Sequence, residues 1–149
     1  MRIESTAFAH NGDIPSKYTC DGENINPPLT FADVPKETRS LALIMHDPDV
    51  PTNLRPDGNF DHWVVFNIPP ETTIGEGELA PGVYGLHTRG KPEYYGPCPP
   101  DREHRYFFKL YALDTMLDLP AGVYRKEVEE AMRGHVIVEA ELLGHYKRL

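Results

Sequence analysis

Cysteine is nearly absent from this 149-residue chain. The two present, Cys20 and Cys98, are too few for a disulfide scaffold and lack the paired spacing of a zinc site. They read as reduced thiols, with a Cys20–Cys98 bridge left open because both fall in loops beside polar segments. Positive charge is also scarce. Fifteen Lys and Arg against 23 Asp and Glu give a net charge of −8. The cations are scattered, so there is no basic stripe to neutralise a phosphate backbone, and nucleic acid is not an expected partner. No apolar run approaches the ~20 residues that cross a bilayer, which argues against stable membrane insertion. The start, Met1-Arg2-Ile3-Glu4-Ser5, lacks the basic-then-apolar layout of a signal peptide, so a cytoplasmic location is expected.

Nucleophiles and metal motifs are equally sparse. The only serines are Ser5, Ser16 and Ser40, none in a Gly-x-Ser-x-Gly elbow. A Cys98–His104 dyad is conceivable but has no family-type spacing. His46, Asp47, Asp49, His62 and His104 could in principle ligate a metal. There is no His-x-His or His-Glu-x-x-His pattern, however, and the loop from Asp47 has Thr52 and Gly58 where a calcium loop needs Gly and Glu. No cofactor and no metal are therefore expected.

What the chain does have is proline, 15 residues, about twice the usual share of ~5%. Nearly all of them separate apolar runs, the signature of a loop-rich β protein. The length suits one domain spanning residues 1–149. A first strand is expected over Arg2–Phe8, and pairing should resume at Leu29-Thr30-Phe31 after the double proline Pro27-Pro28. Arg39–Met45 is apolar on both faces, as in a central strand covered on both sides. His62–Ile68 and the aromatic-rich Arg105–Asp114 read as further central strands. Glu71–Pro92 is glycine-rich without the strand-then-helix context of a phosphate loop, and reads as surface loop. The one helix falls at Tyr124–Arg133, with Tyr124, Val128, Ala131 and Met132 on one face and Gly134 as the stop. A closing strand over His135–Tyr146 should place Val136, Val138, Ala140 and Leu142 on one face.

Polar groups cluster at the mouths of these apolar strands. Asp47 and Asp49 flank Pro48, which favours extension and would put both carboxylates on one side. His62 opens one strand; His104 and Tyr106, two residues apart, share a face of another. An imidazole that keeps a carboxylate partner is biased toward its charged, two-donor form, which suits an oxyanion. Gly96 would add a backbone N–H that an anion can approach closely. Binding should then tighten as pH falls through ~6.5.

Together, Cys20-Asp21-Gly22-Glu23-Asn24, Asp47-Pro48-Asp49-Val50-Pro51, His62-Trp63-Val64-Val65-Phe66-Asn67-Ile68-Pro69 and Tyr95-Gly96-Pro97-Cys98-Pro99-Pro100 with His104-Arg105-Tyr106 resemble the phosphatidylethanolamine-binding protein family. The likeness is to its short bacterial and archaeal branch, related to Raf kinase inhibitor protein, and runs from about Phe8 to Tyr146. It implies a mainly β fold: a central antiparallel sheet faced by a smaller one, with a short helix near the C-terminus. It also implies a non-enzymatic pocket for phosphate or a phosphoethanolamine-like anion, formed by Asp47, Asp49, His62, Gly96, Pro97, His104 and Tyr106. A protein kinase or serine protease is the implied protein partner, and a homodimer is left open. The alternative is a hydrolase using the His and Asp cluster. Protease inhibition would use a protruding loop, Pro51–Phe60 or Thr73–Tyr94. Two departures from the family pattern stand out: Phe31 where the family often has Trp, and Asp101-Arg102-Glu103 in place of a glycine-containing link before His104.

Overall fold

A strand that is apolar on both faces must be covered on both, and the segment that begins at Ser40 is. In a computed structural model that describes residues 1–149, all eight residues of Ser40–Asp47 are buried. Numbered in chain order, the strands are β1 (Arg2–Glu4), β2 (Gly12–Asp13), β3 (Leu29–Ala32), β4 (Ser40–Asp47), β5 (Phe60–Ile68), β6 (Thr73–Ile74), β7 (Val83–Tyr84), β8 (His104–Leu113) and β9 (Val136–Tyr146). The single helix α1 (Arg125–Met132) precedes β9. The fold is mainly β. A six-stranded sheet of order β2-β9-β8-β4-β5-β7 faces a three-stranded sheet of order β1-β3-β6. All pairings are antiparallel except that of β2 with β9.

The two faces of the large sheet pack separately. One face, with Leu41, Leu43, Met45, Trp63, Tyr106, Phe108 and Leu110, meets the small sheet in the main core. The other, with Ala42, Ile44, Val64, Phe66 and Tyr111, is covered by Val128 and Met132 of α1.

Several boundaries differ from the sequence reading. The first strand stops at Glu4 rather than Phe8, and Phe8 turns in to pack on Phe108 at 5.8 Å between ring centroids. Glu71–Pro92 is not all loop: within it β6 pairs with β3 and β7 with β5, each too short to show a period. Tyr124 lies before the helix, half exposed, and its N–H donates to Glu127 at 2.9 Å. The pairing of β8 with β9 slips between Ala112 and Leu113, and Val136 is turned out to solvent while Val138, Ala140 and Leu142 pack inward.

The two cysteines are not reduced thiols. Cys20 and Cys98 form a disulfide across a sequence separation of 78 residues. It closes a contact that the backbone also makes, since the Cys20 N–H donates to the Pro97 carbonyl at 3.1 Å. One edge of the large sheet stays open. β2 covers β9 only at Gly144 and His145, and Leu143 and His145 turn their backbone groups outward to Asn11 and Ile14. By the two-residue period, Glu139 and Glu141 also present theirs outward.

Candidate functional site

The three central strands β4, β5 and β8 begin or end at the same edge of the sheet, where Asp47 lies opposite Phe60 and His46 opposite Phe107. Along β4 and β8 alternation decides which side chains share a face; in β5 the pairing with β4 slips between Met45 and His46, and this irregularity lets His62 share the face of Trp63 while Asp61 lies on the other. Asp47, His62, His104 and Tyr106 fall on the main-core side and line one cavity of about 480 Å³. His46 falls on the other side. Its Nδ1 meets Asn59 Oδ1 at 2.8 Å, and burial lowers its pKa to about 4. That separation breaks up the metal-ligand set weighed from sequence, and no group of three His, Cys, Asp or Glu side chains is arranged to hold a metal ion.

The hydrogen bonds at the cavity floor leave few free donors. Asp47 is 3% exposed; its Oδ1 accepts the Asp49 N–H at 2.7 Å and its Oδ2 meets His104 Nδ1 at 2.6 Å. Burial lifts the Asp47 carboxyl above the usual carboxylate range, against the pull of His104. The other imidazole nitrogen, Nε2, meets Asp101 Oδ1 at 2.7 Å. That contact holds Asp101 below its usual range. Both donors that a charged His104 could offer are therefore spent on carboxylates inside the protein. The Asp101 link, a departure from the family pattern, is the second of these acceptors.

His62 does not keep a carboxylate partner. Its Nδ1 donates to the Tyr95 carbonyl at 2.5 Å, which leaves Nε2 as a lone-pair acceptor. Burial drives its pKa down to about 3, so it is neutral near pH 7. The expected tightening of binding through ~6.5 therefore has no source in His62. Neighbouring Asp61 points to the helix side, where it accepts from Asn59 at 2.9 Å and from Arg125 at 3.1 Å. Tyr106 is wholly buried, and its hydroxyl has no hydrogen-bond partner. Burial first, and the Asp47 charge second, push its ionisation far above the phenol range. Asp47 acts on it through charge but makes no well-formed hydrogen bond to it.

Four of the seven residues singled out from sequence thus share the cavity. Asp49, Gly96 and Pro97 do not line it. Asp49 is clamped by Arg105, with Nε to Oδ2 at 2.9 Å, Nη2 to Oδ1 at 2.8 Å, and the Arg105 N–H to Oδ2 at 2.8 Å. The Gly96 N–H is committed to Asn24 Oδ1 at 3.0 Å. Its missing Cβ serves loop packing, because a methyl there would collide with Asn24 and the Tyr18 carbonyl. Cys98 lines the cavity as half of the bridge, so the proposed thiolate dyad with His104 is lost.

Other lining residues gave no signal in the sequence. Phe60 and Tyr95 form an aromatic wall, 5.1 Å between centroids. Arg55, half-buried, and Arg89, exposed, also line the cavity. Both came from loops without periodicity, and only the lengths of those loops pointed to them.

Comparison with known proteins gives consistent matches over the whole chain. The model of the phosphatidylethanolamine-binding protein family matches residues 4–147. A UPF0098 protein of Chlamydia pneumoniae is 52% identical over 149 residues, covering 99% of both chains. One from Methanothermobacter thermautotrophicus is also 52% identical, over 155 residues and 99% of both. The crystal structure of the Chlamydia trachomatis homologue CT736 superposes with a TM-score of 0.97 at 47% identity, covering 99% of this chain and 97% of that one. The structure of Escherichia coli YbcL, described as a member of the mammalian family, gives a TM-score of 0.87 at 28% identity, covering 99% and 98%.

Proposed function

Because the chain belongs to the phosphatidylethanolamine-binding protein family, we propose that it is a non-enzymatic binding protein. Its cavity takes a small organic anion, a phosphate or head-group-like phosphate ester. The observation that carries this reading is the Tyr106 hydroxyl, which is wholly buried, lines the cavity and makes no well-formed hydrogen bond within the protein. An unpaired buried hydroxyl costs about 1–3 kcal/mol, and a ligand oxygen recovers it. A volume of about 480 Å³ lies within the ~300–1,000 Å³ of small-molecule sites. The alternative, a hydrolase using the His and Asp cluster, would have to work through Asp47, His104 and Asp101, since Cys98 is held in the bridge and no serine lines the cavity.

Occupancy of this cavity would regulate a protein partner, a kinase or a serine protease. The loops available for that contact carry Leu54 and Leu79, which are 58% and 82% exposed. No helix is long and apolar enough to cross a membrane. The cytoplasmic location expected from sequence has to accommodate the Cys20–Cys98 bridge, which persists in oxidising compartments or in the cytoplasm of hyperthermophiles.

Calorimetric titration with a panel of phosphate, phosphoethanolamine and glycerol 3-phosphate tests the binding reading. The tightest member should lose about tenfold in affinity in Tyr106→Phe. An unchanged affinity in that variant, or no binding by any member, sinks it.

A further inference from the structure

We infer that Cys98 is a thiol-exchange site: a low-molecular-mass thiol attacks its Sγ from the cavity, opens the Cys20–Cys98 bridge, and so releases residues 98–103, one wall of the cavity, from the loop opposite. This role belongs to the wall and is independent of what the cavity floor binds.

The two sulfurs are reached unequally. Both cysteines are half-buried, but only Cys98 lines the cavity. The loop of Cys20 is held instead by the chain end, where Asp21 accepts from the Tyr146 hydroxyl at 2.5 Å and from Arg148 Nη2 at 3.0 Å. A cavity of about 480 Å³ has room for a small organic nucleophile. Bridges with such access are the labile ones, whereas fully buried bridges are inert to exchange.

The bridge is also what ties the wall down. Cys20 N–H to the Pro97 carbonyl at 3.1 Å and Gly96 N–H to Asn24 Oδ1 at 3.0 Å hold the chain as far as Pro97. Beyond it, residues 98–103 make no backbone–backbone hydrogen bond. Pro99 and Pro100, which line the cavity with Cys98, have no N–H to offer. The remaining ties lie at the far end of the segment, Asp101 to His104 at 2.7 Å and Glu103 to His145 at 3.5 Å. Cys98, Pro99 and Pro100 therefore depend on the bridge and on packing alone.

The exchange balances in two steps. The attacking thiolate bonds to Cys98 Sγ, the Sγ–Sγ bond breaks, and Cys20 leaves as a thiolate that takes a proton from solvent. A second thiolate then attacks the small thiol's sulfur in the mixed disulfide, and Cys98 leaves and is protonated in turn. The protein gains two electrons and two protons, and two small thiols become one small disulfide.

The test uses reduced glutathione on the full chain at about pH 8, where part of the thiol is ionised. Reduction followed by mass spectrometry after acid quench should proceed at a rate that is flat in urea below the unfolding transition. The trapped mixed disulfide should map to Cys98, with Cys20 free. A rate that climbs with urea from the start, as exchange through the unfolded chain requires, or glutathione found on Cys20, overturns the inference. Release of the wall is read by trypsin cleavage after Arg102, which is exposed within it. In Cys20→Ala with Cys98→Ala, cleavage there should be about tenfold faster than in the bridged protein. Cleavage after Arg89, exposed in a loop closed by its own bond to His87 at 3.0 Å, should stay within about twofold. Unchanged cleavage at Arg102, or equal acceleration at both arginines, overturns the inference.

Discussion

Removing the Cys20–Cys98 bridge, as Cys20→Ala with Cys98→Ala, should lower the melting temperature substantially without abolishing the fold. The bridge spans 78 residues, and restoring that closure entropy to the unfolded chain costs about 4.5 kcal/mol in the chain-entropy estimate. The loss should be smaller than that bound. The same loops are also held by Cys20 N–H to Pro97 O, by Tyr94 hydroxyl to Tyr18 O at 2.8 Å, and by Gly96 N–H to Asn24. Some local closure therefore survives in the variant, and about 2–4 kcal/mol is expected. For 149 residues the unfolding entropy is about 0.3 kcal/mol/K, so the midpoint should fall by roughly 6–13 °C. The assay is scanning calorimetry of both proteins without reductant, with thiol titration of the unfolded unmodified chain, which should find no reactive thiol. A fall of less than about 3 °C, or two free thiols, would refute the reasoning.

Asp49→Asn should cost about 1 kcal/mol by breaking the charge-assisted fork with Arg105, measured by denaturant titration, and leave ligand affinity within about twofold. Arg105 holds the Asp49 carboxyl below its usual range. That stabilisation is thus complete above the unfolded value near 3.9 and is lost as pH falls through the lower folded value. The sign for His62 follows from its depressed pKa of about 3: unfolded chains take up the proton below ~6.5 before the folded protein does, so stability should decline from there toward about 3. Its NMR resonances should stay flat from about pH 5 to 8; a midpoint near 6.5 would contradict the burial that depresses its pKa. Gly96→Ala should destabilise by about 1–3 kcal/mol through collision with the Tyr18 carbonyl and Asn24, and a chemical melt showing no change would remove the packing role.

Strands β4, β5 and β8 were legible because burial on both faces leaves an unbroken apolar run, and α1 because its face repeats every turn. β6 and β7 were not, since two-residue strands carry no period. Asp47, His62, His104 and Tyr106 were legible as a set because each stands at the mouth of such a run. Their protonation roles were not. Whether an imidazole donates to a ligand depends on what its other nitrogen touches, and Tyr95 and Asp101 reach the histidines from loops that follow no pattern. The cysteine pair was underread for the same reason, since pairing is a property of where two loops meet.

The open edge of β9 bears on how copies of this chain behave when concentrated. A free strand edge is a template for another strand. Pairing two copies antiparallel across residues 137–143 centres the register on Ala140, and each Glu139 then lies opposite a Glu141 of the other copy. Like charges placed directly opposite repel, and both glutamates are exposed. The edge is therefore protected by charge rather than by cover, so its backbone donors and acceptors stay free without drawing in a second copy.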